Sequence, residues 1–159
     1  MSSKNLLLIA CCGYKNYVSL TQMTIKTAPP LVGLWHLALK VQNLARSRIF
    51  YQDILGMEVV WEPDDDNLYL SLGKDNLALH QIPHGVSLIQ EGAHPLDHFG
   101  FIVANKGGVD QMAVKLAQAS VLIVKPVRLH RDGSYSFYVK DPDGNLIQFL
   151  YDPHLSQNL

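Results

Sequence analysis

Residues 34–41 read Leu-Trp-His-Leu-Ala-Leu-Lys-Val, and residues 96–103 read Leu-Asp-His-Phe-Gly-Phe-Ile-Val. Each stretch is an apolar, strand-like run with a histidine at its third position, His36 in the first and His98 in the second. A helix-like segment and three shorter strands follow each run. A unit of this kind cannot bury its own sheet face, so two copies must pack together. The repeat therefore predicts an α+β fold with two tandem βαβββ repeats.

The repeats also predict the domain organisation. We expect one domain over residues 32–152, with repeats at about 32–83 and 95–152. Residues 1–31 should form a loosely ordered N-terminal extension, because their last residues include Pro29-Pro30, which cannot continue a helix or a central strand. Residues 153–159 should form a C-terminal tail.

Composition narrows the function classes. The chain has 159 residues, of which 48% are hydrophobic and 17% charged, so a packed core is expected. The net charge of −1 and the absence of a basic patch argue against nucleic acid as a partner. The sequence contains no run of about twenty apolar residues, so no membrane span is expected. The adjacent Cys11 and Cys12 are poorly placed to bridge each other, which favours a reducing, cytoplasmic location over export.

Local signals place the helices and the last hairpin. Asn43 is a candidate N-cap for a helix that runs through Leu55 and ends at Gly56. In the second repeat, Gly107-Gly108 should lead into a helix over about residues 109–119. The turn Asp141-Pro142-Asp143-Gly144 should set the register of the strand that carries Gln148.

Each repeat closes on a strand with a polar residue among apolar neighbours. These residues are His80 in the first repeat and Gln148 in the second. Together with His36 and His98 they are expected at corresponding places in the paired repeats. A polar side chain among small or apolar neighbours needs a partner, and a metal ion is one such partner.

Two longer phrases carry a family resemblance. Residues 45–57 read Ala-Arg-Ser-Arg-Ile-Phe-Tyr-Gln-Asp-Ile-Leu-Gly-Met, and residues 136–145 read Ser-Phe-Tyr-Val-Lys-Asp-Pro-Asp-Gly-Asn. In this order, inside a duplication, they resemble the vicinal oxygen chelate superfamily, also called the glyoxalase/bleomycin-resistance/dioxygenase superfamily. The resemblance spans roughly residues 32–152. It implies a cupped mixed sheet around a central cleft, with helices outside, a small-molecule substrate and a homodimer.

The resemblance also implies one divalent transition metal (Zn, Ni, Co, Mn or Fe). Matched position by position, the ligands would be His36, His80, His98 and Gln148. Most metal-dependent members have Glu where this chain has Gln148, so the site would lack a carboxylate and a proton-transferring base. Tyr138 and His80 are the candidates for that catalytic role.

Other polar residues have weaker claims. His130 reads as an exposed turn residue. Arg128 and Arg131 are candidates for binding an anionic substrate. Two stretches, Tyr69–Gly73 and residues 131–138, resemble the fosfomycin-modifying thiol transferases, although Gln148 departs from their Glu ligand as well.

Three functions remain open. The first is a metal-dependent enzyme of lyase, isomerase, thiol transferase or dioxygenase type, acting on a small oxygen-rich substrate that chelates the metal. The second is a non-catalytic antibiotic-binding or small-molecule-binding protein of the bleomycin-resistance type, for which Trp35 and Trp61 could line a groove. The third is a degenerate member whose polar cleft residues only satisfy one another. Bound metal would distinguish the first from the other two.

Overall fold

The computed structural model describes residues 6–8, 17–19, 31, 33–88 and 95–156. Contacts divide the chain into two compact units, Met1–Gly33 and Leu34–Leu159. In the first unit, strands β1 (Leu6–Leu8) and β2 (Tyr17–Ser19) pair antiparallel. The expected loose order of the rest of the extension, and the linker over residues 89–94, lie outside the described residues.

The second unit contains both repeats. The first repeat consists of β3 (His36–Val41), α1 (Leu44–Arg48) continuing as a π-helical segment (Ile49–Ile54), β4 (Glu58–Asp64), β5 (Asn67–Ser71) and β6 (Asn76–Gln81). The second consists of β7 (Phe99–Ile102), α2 (Lys106–Gln118), β8 (Ile123–Leu129), β9 (Tyr135–Lys140) and β10 (Leu146–Tyr151). No helix among the described residues is long and apolar enough to cross a membrane.

Each repeat forms one mixed four-stranded sheet. The strand orders are β3-β6-β5-β4 and β7-β10-β9-β8. In both sheets the first and last strands of the repeat pair in parallel, and the other neighbours pair antiparallel. The predicted α+β fold with two βαβββ repeats is confirmed.

Strand alternation separates a core face from a polar face in both sheets. On β3, Leu39 and Val41 are buried, whereas His36, Ala38 and Lys40 are exposed. Side chains two residues apart share a face. On the second sheet the core face carries Phe137, Val139, Ile147 and Phe149, which join one apolar cluster with side chains of the first repeat. The opposite, polar faces are called the cleft faces below.

The helix boundaries agree with the sequence in the first repeat and differ in the second. Asn43 caps α1, since its Oδ1 accepts from the backbone N of Arg46 at 2.9 Å. Helix α2, however, begins at Lys106 rather than at residue 109, because the Asn105 side chain accepts from Gly108 N at 2.8 Å. Glycine suits that first turn because a Cβ at residue 108 would lie 2.8 Å from Val103 Cγ1.

The two phrases that carry the family resemblance, residues 45–57 and 136–145, contact each other across the repeats. The buried Tyr51 hydroxyl donates to Asp141 Oδ2 at 2.7 Å. Asp143 accepts from the backbone N of Gln42 at 3.0 Å, from Arg46 Nη2 at 2.8 Å and from Ser47 Oγ at 3.1 Å. An anion beside the first turn of a helix is also favoured by the helix dipole. These residues form what we call the inter-repeat clasp: Gln42, Arg46, Ser47, Tyr51, Asp141 and Asp143.

Because of the inter-repeat clasp, we expect the folded protein to lose stability at alkaline pH. Burial, and then the neighbouring Asp141 charge, raise the pKa of Tyr51 well above 10.0, its ordinary value. Above pH 10 the unfolded chain can ionise this tyrosine and the folded chain cannot, so its contribution is complete below that pH and declines above it. We expect Tyr51→Phe to unfold more easily than wild type at pH 7, and the difference to shrink above pH 10. Urea unfolding at both pH values measures it, and a difference independent of pH would contradict the assignment.

Candidate functional site

The cleft face of the second sheet brings several predicted site residues together. In the register, Gln148 pairs with Gly100 on one side and with Tyr138 on the other. His98 lies two residues before Gly100, just ahead of β7, and its ring meets the Tyr138 ring edge-on at 5.5 Å between centroids. Lys125 Nζ lies 4.5 Å from the centre of the same Tyr138 ring. Glycine suits residue 100, because a Cβ there would lie 3.1 Å from Gln148 O and crowd the neighbouring strand.

A buried serine holds Gln148. The Gln148 Nε2 donates to Ser136 Oγ at 3.0 Å, and His130 Nε2 lies 2.8 Å from the same oxygen. Ser136 is fully buried. His130 begins a turn, as expected, but it is partly buried, so its predicted exposure is wrong. The sequence did contain a signal for Ser136. It lies two residues before Tyr138, and therefore on the same face of β9, the strand that pairs with the strand of Gln148.

His36 and His98 each have Nδ1 bonded to a side-chain oxygen, in one case across the sheet and in the other from the preceding residue. His36 Nδ1 lies 2.6 Å from Asn76 Oδ1, and His98 Nδ1 contacts Asp97 Oδ1. Because both oxygens are acceptors, Nδ1 carries the hydrogen and Nε2 the lone pair in each neutral ring. The hydrogen bond from His98, followed by its charge, lowers the pKa of Asp97. A histidine that binds metal through Nε2 usually donates its Nδ1 hydrogen to an oxygen of this kind.

The register moves His80 out of the predicted set of ligands. His36 pairs with Asn76, whereas His80 pairs with Lys40, four residues further along β3. At about 3.3 Å per residue, roughly 13 Å of strand separates the levels of the two histidines. In the second sheet, Gln148 pairs with Gly100, which lies two residues after His98. In the first sheet, the residue two after His36 is Ala38, and it pairs with Ala78. Ala78 therefore occupies the place that corresponds to Gln148.

His80 instead belongs to a row of aromatic rings across the first sheet. Its Nδ1 lies 2.6 Å from Asn67 Oδ1, and its ring meets Tyr69 edge-on at 5.8 Å. Tyr69 in turn contacts Trp61 at 4.8 Å. Trp61 is 57% exposed. Trp35 is 54% exposed, but it directly precedes His36 and is not part of this row. The first sheet therefore offers an aromatic surface on its cleft face.

Within residues 33–88 and 95–156, no three side chains of the His, Cys, Asp or Glu type converge to hold a metal ion. A metal site in this part of the chain must therefore use a ligand of another type. Among the predicted ligands, Gln148 has an amide oxygen of that kind, and His36 and His98 have imidazole nitrogens. These donors suit a transition metal better than Mg²⁺ or Ca²⁺.

A cavity of about 750 Å³ lies between β3 and the last hairpin. Its lining includes Ala38, Lys40, Lys140, Asp97 and Asp143. Asp97 is bonded to His98 and Asp143 to Arg46, whereas neither lysine forms an ion pair among the described residues. Arg128 and Arg131, which the sequence offers as weak candidates for anion binding, are exposed and do not line this cavity. Any positive charge at the cavity comes instead from the two lysines.

A profile of the Glyoxalase/Bleomycin resistance protein/Dioxygenase superfamily matches residues 33–149. The chain belongs to this superfamily. Among similar proteins, Uncharacterized protein PA2024 of Pseudomonas aeruginosa is 28% identical over 130 residues, covering 74% of this chain and 87% of that protein. Biphenyl-2,3-diol 1,2-dioxygenase of Sphingomonas paucimobilis is 30% identical over 125 residues, covering 77% of this chain but only 40% of the enzyme.

Solved structures of the superfamily share the fold. A glyoxalase/dioxygenase from Nostoc punctiforme superposes with a TM-score of 0.66 at 22% identity, covering 80% of this chain and 96% of that one. Lactoylglutathione lyase from Agrobacterium tumefaciens superposes with a TM-score of 0.63 at 23% identity, covering 77% and 96%. At these identities the likeness establishes the architecture of the superfamily, and the reaction must be argued from the site.

Proposed function

We propose that this protein is a metal-dependent enzyme that binds one divalent transition metal through His36, His98 and Gln148. The observation that carries the proposal is the matched anchoring of the two histidines, each with Nδ1 on a side-chain oxygen. Such anchors orient an imidazole and raise its basicity as a ligand. The bonded Gln148 amide adds a third, oxygen donor from the neighbouring strand.

A metal held there would supply Lewis acidity toward a small substrate with adjacent oxygens. The chain's own residues would bind that substrate and move its protons. Tyr138 is the candidate proton carrier, since it lies beside Gln148 in the register and its ring touches His98. The Lys125 ammonium over the Tyr138 ring adds positive charge there, which favours a substrate that becomes anionic.

His80 keeps a candidate role as a second proton carrier. It lies on the cleft face two residues beyond Ala78, which corresponds in position to Gln148. Its neutral ring has the same tautomer as His36, because Asn67 Oδ1 accepts from Nδ1. A base at this place could reach a substrate that extends from the metal toward the aromatic row.

The aromatic row supports a second candidate function, non-catalytic binding of a small molecule. Exposed Trp61, in tilted contact with Tyr69, can cover the face of a planar ligand without any chemistry. This alternative predicts tight ligand binding to metal-free protein, whereas the enzyme proposal predicts that bound metal is required.

Elemental analysis of protein purified without chelator tests the proposal, together with Gln148→Glu. We expect about one metal per chain in wild type and about tenfold tighter metal binding in the variant, because a carboxylate oxygen carries charge that an amide oxygen lacks. Gln111→Glu on the exposed face of α2 adds the same charge elsewhere and should leave the affinity unchanged. Wild type that contains no metal and takes up none on titration would contradict the enzyme proposal.

A further inference from the structure

Ser136 and His130 have no assigned role, yet they form a directed chain that ends on Gln148. We propose that they are positioning residues that hold the Gln148 amide with its oxygen toward the cleft and its nitrogen toward Ser136. The relevance of this orientation to metal binding rests on the proposed function. The orientation itself does not.

The orientation matters because only one end of a glutamine amide can bind a cation. The Oε1 atom has lone pairs, whereas the NH₂ group only donates hydrogens. A rotation of 180° about the last side-chain bond would present the NH₂ group to the metal and abolish ligation. A glutamate at this position would have no such requirement, since both ends of its carboxylate are oxygens. A chain with Gln148 therefore needs a device that selects one rotamer.

The hydrogen bonds supply that device. A serine hydroxyl has one hydrogen and two lone pairs. The Gln148 Nε2 donates to one lone pair of Ser136 Oγ at 3.0 Å. The hydroxyl hydrogen can then go to His130 Nε2, which lies 2.8 Å away. When His130 Nε2 is the acceptor, Ser136 has no hydrogen left to donate to Oε1 of a rotated amide, so the rotated state loses its bond.

Burial makes this preference strong. Ser136 is fully buried, so water does not replace a lost partner of its hydroxyl. His130 is held in turn by the backbone, because its N donates to Ser134 O at 2.8 Å and its O accepts from Gly133 N at 3.1 Å. The chain of bonds thus runs from a turn fixed by backbone hydrogen bonds, through a buried hydroxyl, to the amide in the cleft.

NMR of the side-chain amide tests the orientation directly and without metal. Gln148 NH₂ signals are identified by their loss in Gln148→Glu. We expect Ser136→Ala to shift them strongly and His130→Ala to shift them less, with His130→Gln restoring most of the wild-type shift because its amide can also accept from the hydroxyl. His84→Ala, in an exposed turn, is the control. Signals unchanged by Ser136→Ala would overturn the proposal.

A double-mutant comparison of metal affinity tests the consequence. We expect Ser136→Ala to weaken binding at least about fivefold in the wild-type background and to have little effect in the Gln148→Glu background, where either oxygen can bind. An equal loss in both backgrounds would show a merely structural role and overturn the positioning role. If no variant binds metal while the NMR shifts behave as expected, the proposed function fails and the orientation stands.

Discussion

Replacing Asp141 by alanine is expected to lower the free energy of unfolding by about 3 kcal/mol, since buried hydrogen bonds to a charged group contribute roughly 1.5–3 kcal/mol each and are not additive. The Asp141 carboxylate is 5% exposed. It accepts from the backbone N of Asp143 at 2.9 Å, from Asn145 through its backbone N and its Nδ2 at 2.8 Å each, and from the Tyr51 hydroxyl at 2.7 Å. Its loss would leave the buried Tyr51 hydroxyl without this acceptor and release the turn.

Urea unfolding of four proteins separates the two effects. Tyr51→Phe should cost about 1 kcal/mol in wild type and almost nothing in the Asp141→Ala background, because the partner is already gone. Asp75→Ala is a matched control, since Asp75 also accepts from its own hairpin, from Leu72 N at 2.6 Å, without contacting the other repeat. It should cost about 1 kcal/mol. Additive losses for Tyr51 and Asp141 would show that the inter-repeat clasp does not couple the repeats.

His36→Ala and His98→Ala are each expected to abolish retention of metal through purification, and to weaken metal binding on titration by at least about a hundredfold. Each removes one of two imidazole donors, and the remaining His and Gln cannot complete a site that needs three protein ligands. Elemental analysis and titration monitored by calorimetry measure the effect. The unfolding free energy should change little, because both histidines are exposed and lie at the start of a strand.

His80→Ala is the matched control for this prediction. His80 lies on β6, which pairs with the strand of His36, and its Nδ1 is likewise bonded to an asparagine oxygen. It lies roughly 13 Å along the strand from the level of His36. It should retain one metal per chain, whatever its effect on turnover. Loss of metal in His80→Ala, or retention in His36→Ala and His98→Ala, would contradict the ligand set.

The repeat was readable from the sequence because it depends on local patterns. Period-two alternation around His36 and His98 predicted two strands, and Asn43 and Gly56 predicted the ends of the first helix. The same alternation predicted that Gln148 would face the cleft, where the register pairs it with Tyr138. These signals are local because side-chain direction in a strand and capping at a helix end depend only on neighbouring residues.

The position of a residue along its strand relative to the residues of the neighbouring strand is a different quantity. Only the tertiary structure decided it. Alternation places Ala78 and His80 on one face, but it does not say which of them pairs near His36. The pairing of His36 with Asn76 does, and it puts Ala78 where the sequence suggested His80. The links from Ser136 to His130 and from Tyr51 to Asp141 were equally hidden, although Tyr51 and Asp141 both lie in recognised phrases. Such contacts join residues that are distant in sequence and meet only when the chain folds. The local sequence pattern therefore determines which face of a strand a side chain lies on, and the tertiary structure determines which residue it contacts.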